Sequence, residues 1–262
     1  MARSTPRPHR PRNRMVYVAL TLGLIVMVLP FVWMVLSSVK PDAEVTAVPP
    51  TWWPREITLD NYQVLFTKLD FPRYFMNSVV VALAVTVGNV VFGSMLGYAL
   101  AKLEFPGKRV LFALVLTTNL GLTDTLPGMF LPFLAGPFGV FLMRQFISGL
   151  PDELIQAARV DGAGELRIFR SVVMPMCGPA VATLGILTFL TSWNNFLWPL
   201  VVAQDEERYT LPVALALYSV GQNATKYGLL LAGAVVVVIP VVAIFLVLQR
   251  HIMQGIAMTG IK

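Results

Sequence analysis

Apolar runs of membrane length alternate with short polar stretches along this chain. Residues 16–39, 77–101, 178–203 and 227–248 are each long enough to cross the roughly 30 Å hydrocarbon core of a bilayer as a helix. Between them lie polar stretches at 40–73 and 204–226, a short basic turn at 102–109 (KLEFPGKR) and a charged island at 150–175. Residues 110–146 fit this alternation poorly. Nine apolar residues, 110–118, give way to NLGLTDT, and 126–146 is interrupted by Pro127, Pro132, Pro137 and three glycines. The basic turn and the island read as lying on one side of the membrane, so the chain between them crosses twice or not at all. A shortened pair or a re-entrant hairpin is expected, its backbone groups satisfied by neighbouring helices. The predicted fold class is therefore all-α: a polytopic membrane protein of nominally six transmembrane helices, with a shortened third/fourth helix pair and a cytoplasmic loop at about 148–175. Residues 1–14 form a basic tail, and 15–262 a single transmembrane domain.

The island (LPDELIQAARVDGAGELRIFRSVVMP) predicts helix, sharp turn, helix. Pro151 suits a helix start, and Asp152 and Glu153 put negative charge at the positive end of the helix dipole. Leu154, Ala157, Ala158 and Val160 recur at helical spacing as a narrow apolar stripe. Asp161-Gly162 stops this helix, because glycine tolerates the left-handed conformation common just past a helix end. A second helix starts at about Glu165, with Leu166, Phe169, Val172 and Val173 on its apolar side, and ends near Pro175. Adjacent alanines let the first helix approach a partner closely, so it could fill another protein's groove. It could equally lie as an amphipathic loop on lipid headgroups.

Composition sharpens the membrane reading. The chain is 56% hydrophobic and 13% charged over 262 residues, where soluble domains carry about 25% charged residues. Its net charge of +6 could suggest nucleic acid, but the basic residues gather beside the spans, as the positive-inside rule requires. Fourteen of the twenty Lys and Arg fall on the side assigned to the cytoplasm, which also receives both termini. The first apolar run is too long for a signal peptide and has no small-x-small cleavage site, so it is read as uncleaved. Trp52-Trp53 suits a membrane interface, and Gly93 with Gly97 forms a small-xxx-small pair for close helix packing. A single cysteine, Cys177, excludes a disulfide framework and a Cys-rich metal site.

Gln156-Ala157-Ala158, Asp161-Gly162-Ala163, Phe169, Val172 and Met174-Pro175 together resemble the "EAA" signature of bacterial binding-protein-dependent ABC importer permeases, E-A-A-x-x-D-G-A followed by F and I/V-x-L-P. Gln156 stands where the first Glu is usual, and Met174 replaces Leu with conserved volume. Lys40-Pro41-Asp42, Pro49-Pro50 and Asp60-Asn61-Tyr62 further resemble the carbohydrate-uptake (maltose-type) branch. The resemblance implies that the island is a coupling helix docking into a cytoplasmic ATPase, with Glu153, Gln156, Ala157, Ala158, Asp161, Gly162 and Ala163 as the coupling residues. It also implies two ATPase subunits, a second homologous permease, an extracytoplasmic sugar-binding protein and a bacterial inner-membrane location. ATP would be bound by the partner, so this chain carries no cofactor. It covers nearly the whole chain from about residue 28 to 261, except that the region at 110–130 is shorter than in such permeases.

SWNNFLWPL resembles the S-W-N-D/E-F-x-W-P-L segment of sugar-uptake permeases, with Asn195 in place of the acid. Ser192, Asn194 and Asn195 could line a translocation path and bond sugar hydroxyls, with Trp193 or Trp198 stacking on a sugar face. The alternative, which weighs more, is that Asn and Ser join helices while the tryptophans anchor at the interface.

No G-x-x-x-x-G-K-[ST] loop or H-E-x-x-H spacing occurs, so neither ATP hydrolysis nor metal binding is expected of this chain. No catalytic residues are assigned. His9 and His251 lie in the tails. Asp124 is the one acid that could serve proton coupling, and it reads better as a turn residue. A stand-alone secondary carrier or channel would need ion-coupling residues that are nearly absent. That reading, or a degenerate permease lacking part of one helix, is the alternative to an importer subunit.

Overall fold

The computed structural model describes residues 14–67, 69–103, 123–220 and 226–259; side chains are described within 15–247. The tail before Arg14 and the expectations for 104–122 lie outside the described residues. Thirteen α-helices are described: α1 (Arg14–Ser38), α2 (Asp42–Val45), α3 (Asp60–Thr67), α4 (Phe71–Lys102), α5 (Leu126–Phe130), α6 (Pro137–Ser148), α7 (Asp152–Val160), α8 (Glu165–Ile168), α9 (Met174–Met176), α10 (Gly178–Trp193), α11 (Leu197–Val202), α12 (Leu211–Val220) and α13 (Tyr227–Thr259). Helices are the expected form, since a chain in hydrocarbon must satisfy its own backbone hydrogen bonds.

Among the described residues, Met15–Ser38, Phe71–Lys102, Leu126–Ser148 and Tyr227–Val247 are long and apolar enough to cross a bilayer. Glu165–Met176 and Gly178–Trp193, bent by 82° at their junction, count as a fifth when taken as one span. The long central helix is α4, and α6 and α10 pack along it. Close packing of α6 depends on two glycines of α4. A Cβ on Gly97 would stand 2.8 Å from the Arg144 backbone nitrogen, and one on Gly93 would stand 3.3 Å from the Gly139 carbonyl carbon. By contrast α1 lies at the edge, with none of its apolar window buried, resting along α13.

Opposite ends of the bundle are identified by their loops. At one end Asn77 Nδ2 donates to the carbonyls of Glu207 (2.9 Å) and Tyr209 (3.0 Å), and Leu211 N–H donates to Ser78 Oγ at 2.7 Å. Asp124 N–H donates to the Val202 carbonyl at 2.8 Å at that same end. At the other end Lys102 reaches the Leu150 carbonyl (3.1 Å) and pairs with Asp152. Leu126–Ser148 therefore runs from the first end to the second, so it is a crossing segment and not half of a re-entrant hairpin. Prolines and glycines break it into α5, a 3-10 turn at Leu131–Phe133 and α6 without turning it back.

Further corrections follow from packing. The second span starts at Phe71, six residues before the expected Asn77, because Pro72 is acceptable in a helix's first turn. The span at 178–203 is divided at Asn194–Asn195 into α10 and α11. The stretch 204–226 is not simply a polar outer loop. It contains α12, whose Leu211, Val213 and Ala214 are buried against α4 and α13. Lys40, the first residue of the polar stretch 40–73, is 1% exposed.

Candidate functional site

At the island, α7 begins after Pro151 with Asp152 and Glu153 in its first turn, and it ends in a full Schellman closure. Ala163 N–H donates to the Ala158 carbonyl and Gly162 N–H to the Arg159 carbonyl, both at 3.0 Å. Gly162 has φ +76°, the left-handed region that side-chain-bearing residues rarely adopt, and an added Cβ there would meet nothing within 4 Å. The requirement for glycine at this turn is therefore one of backbone conformation alone. Past the turn, α8 leads through a π-helical stretch, Phe169–Val173, into α9. The helical path thus passes Pro175 to reach Met176, and the 82° bend follows at Cys177.

The buried face of α7 is rotated from the stripe expected of it. Ile155 is 3% exposed and packs in a cluster with Tyr98, Met143, Ile147 and Ile168, with Ala158 and Ala163 at its edge. Leu154 is exposed, and Val160 at 87% is nearly bare. In the following helix Ile168 and Val173 are buried, whereas Leu166 points outward. Five apolar residues are distributed around a nine-residue helix, so spacing alone did not select the face; the neighbours on α4 and α6 did. Glu153, Gln156, Ala157, Asp161 and Gly162 are exposed, and Ala158 and Ala163 are half-buried.

A polar latch fixes the loop to the bundle. The Tyr98 hydroxyl, from the end of α4, donates to Glu165 Oε2, while Arg159 Nε donates to Glu165 Oε1 at 2.8 Å. These donors, the Arg159 guanidinium foremost, hold the Glu165 carboxyl below the usual carboxylate range. Tyr98 also lies 5.5 Å from the Phe169 ring. Tyr98, Lys102, Arg159 and Glu165 were missed by sequence reasoning. The spacing of Arg159 and Glu165 across a glycine turn was the available signal.

In SWNNFLWPL the two tryptophans are structural. Trp193 is 1% exposed, stacks on Phe189 with centroids 5.7 Å apart, and donates its indole N–H to the Val237 carbonyl at 3.1 Å. It is an interior residue of the bundle, neither an interface anchor nor an open sugar platform, because its indole bridges α10 to α13. Trp198 donates to the Gly128 carbonyl at 3.1 Å and meets Phe133 edge-on. The Asn194 side chain turns back to the Leu190 carbonyl at 2.8 Å. Ser192 and Asn195 are different: both line a cavity of about 410 Å³ between α4, the break before α6 and α10. Of the five residues expected along a path, these two alone line that cavity. Asp124 is a turn residue, with φ 57° and its Oδ1 accepting from the Gln204 and Asp205 N–H groups at 3.0 and 3.1 Å. Those bonds lower its pKa, that from Asp205 most.

A bundle of membrane-length helices, two of its spans broken, with an amphipathic helix held out at one end by a single face, defines the transmembrane subunit of a transporter. The chain belongs to the family described as "Binding-protein-dependent transport system inner membrane component", which residues 9–258 match. It is 36% identical to the arabinooligosaccharides transport system permease protein AraQ of Bacillus subtilis over 97% of this chain and 99% of the relative. It is 31% identical to the diacetylchitobiose uptake system permease protein NgcG of Streptomyces coelicolor over 98% of this chain and 91% of the relative. The crystal structure of a bacterial ABC transporter involved in the import of the acidic polysaccharide alginate has the same fold, with a TM-score of 0.82 at 24% identity, covering 94% of this chain and 100% of that one. The resemblance to a carbohydrate ABC importer permease therefore stands, and the stand-alone carrier is set aside. Alignment with AraQ runs over 280 residues against a chain of 262, so the relative carries residues that this chain lacks.

Proposed function

We propose that the chain carries a sugar across the inner membrane as one of two permeases in an importer, and that α7 with its closing turn couples it to a cytoplasmic ATPase. One observation carries the coupling assignment. α7 is seated through Ile155 and Ala158 on one side, while Glu153, Leu154, Gln156, Ala157 and Val160 on the other are exposed. In the full assembly two ATPase subunits bind and hydrolyse ATP, a second permease completes the path, and an extracytoplasmic protein delivers the solute. Both termini then face the cytoplasm, on the side of α7. The names of these two relatives support an oligosaccharide as cargo. ATP-driven closure of the ATPase dimer would push on α7, and the latch at Tyr98 and Glu165 would pass that movement to α4.

Gly162→Val tests the coupling. A β-branched residue at φ +76° is strained by about 1–2 kcal/mol, and its Cβ would meet nothing within 4 Å. The variant should insert into the membrane but fail to co-purify with the ATPase, and ATP-driven uptake should be lost. Normal uptake would sink the assignment.

A further inference from the structure

The cavity beside Asn89 contains more polar capacity than the chain uses. Asn89 lies near the middle of α4 and is 6% exposed. Its Nδ2 donates to the Phe133 carbonyl at 3.1 Å, but its Oδ1 has no hydrogen-bond partner. Glycines make room for the amide: a Cβ on Gly139 would stand 1.9 Å from Oδ1, and one on Gly136 2.6 Å from Nδ2. Across the cavity, α10 and the break after it contribute Thr188, Thr191, Ser192 and Asn195. Thr191 is already bonded to the Leu187 carbonyl. The Thr188 and Ser192 hydroxyls and the Asn195 amide take no partner among the described residues. Among the described residues the lining includes Phe133 and Phe138 but no Asp, Glu, Lys, Arg or His.

A wall of this kind cannot face lipid chains, because hydrocarbon offers no partner to a desolvated amide or hydroxyl. Nor does it suit an anion, since a buried carboxylate or phosphate needs a cation or a charge-assisted donor set opposite it. Neutral hydroxyl groups match it well. Each is both donor and acceptor, so it can serve Asn89 Oδ1, the Asn195 amide and the free hydroxyls, while phenyl rings cover the apolar face of a sugar.

We propose that this cavity is a solute subsite of the translocation path, built by this chain for a neutral polyhydroxylated solute. It rests on the importer reading above. Asn89 Oδ1 accepts a solute hydroxyl, and Asn195 with Ser192 grips the solute from the opposite wall. The restriction to uncharged cargo comes from the absence of any ionisable group among the described lining residues.

The test uses the importer complex purified with its accompanying subunits, carrying Asn195→Cys, with Ser192→Cys as an independent second position. Alkylation by N-ethylmaleimide is timed with arabinotriose, diacetylchitobiose or sn-glycerol 3-phosphate present. The native Cys177 is fully buried and sets the background. At least one neutral sugar should slow labelling about tenfold when it exceeds its dissociation constant about tenfold. Adding Asn89→Ala should weaken that protection about tenfold, as expected for one lost buried hydrogen bond. Absence of protection at both positions, with ATP hydrolysis by the complex intact, overturns the subsite and leaves the importer reading standing. Equal or better protection by sn-glycerol 3-phosphate overturns the neutral-solute assignment. If no ATP hydrolysis accompanies the chain, the reading beneath the proposal falls.

Discussion

The loops at the two ends of this bundle are held in different ways. At the end that carries residues 38–61, polar side chains are spent on neighbouring backbone. Asn61 Nδ2 donates to the Ser38 and Lys40 carbonyls at 3.0 and 2.9 Å, and Asp42 accepts from Gly228 N–H at 2.9 Å. Glu44 accepts from the Thr51 hydroxyl at 2.7 Å and the Arg55 N–H at 3.0 Å. Buried Lys40 donates to the Thr51 and Trp52 carbonyls and lies 4.9 Å from the Trp33 ring centroid. At the end that carries α7 a few contacts seat that helix, and its far side is exposed. A loop that satisfies itself is a cap; a loop seated on one face alone leaves its other face open to a partner.

Breaking the cap should have the largest effect on stability and no effect on coupling. Lys40→Ala leaves two carbonyls without a donor and opens space beside Trp33, a loss of about 2–4 kcal/mol. Trypsin cleavage at Arg55 in intact complexes should accelerate, while association with the ATPase is unchanged. Equal weakening of both would mean that the two ends are not independent.

A smaller effect is expected at the latch. The folded-state pKa of Glu165 is lowered, so its contribution is present above the ordinary carboxylate pKa of about 4.3 and is lost as pH falls through the lower folded value. The group is 44% exposed, so the pair is worth under about 1 kcal/mol after solvent screening. Hydrogen exchange of the island backbone should rise as pH falls below 4, after correction for intrinsic rates. Glu165→Gln should remove that dependence. A wild-type protein with no acid-side opening would show that the latch is structural ornament on a loop fixed by Ile155 and Ile168.

The two ends also differed in how far they could be read in advance. The turn at Gly162 was legible because a left-handed residue after a helix has a glycine signature, and the structure places it there. The orientation of α7 was not, since Leu154, Ile155, Ala157, Ala158 and Val160 surround much of its short circumference. α12 was hidden between polar flanks and, at ten residues, was too short to register as a span. Lys40 looked like a boundary charge because nothing local reveals that residues eleven and twelve positions on will fold over it. The cavity depends on Asn89 meeting Gly136, Gly139 and Asn195, three segments brought together only by tertiary packing. The Asn195 half was visible in its motif, and the Asn89 half was not.

The smallest structural effect should come from Glu153→Lys. Glu153 is exposed in the first turn of α7, where a negative charge favours the helix dipole. Reversing it costs about 0.5–1 kcal/mol in local helix stability, too little to unseat a helix held by Ile155. Thermal unfolding of the complex-free chain in detergent should therefore shift little. Association with the ATPase should weaken by more than that stability change accounts for, and raised salt should narrow the gap between the variant and the wild type, because exposed charges more than about 10 Å apart are screened at 0.1 M salt. Unchanged co-purification at low salt would remove Glu153 from the docking face and leave Leu154, Ala157 and Val160 to bind through apolar contact alone.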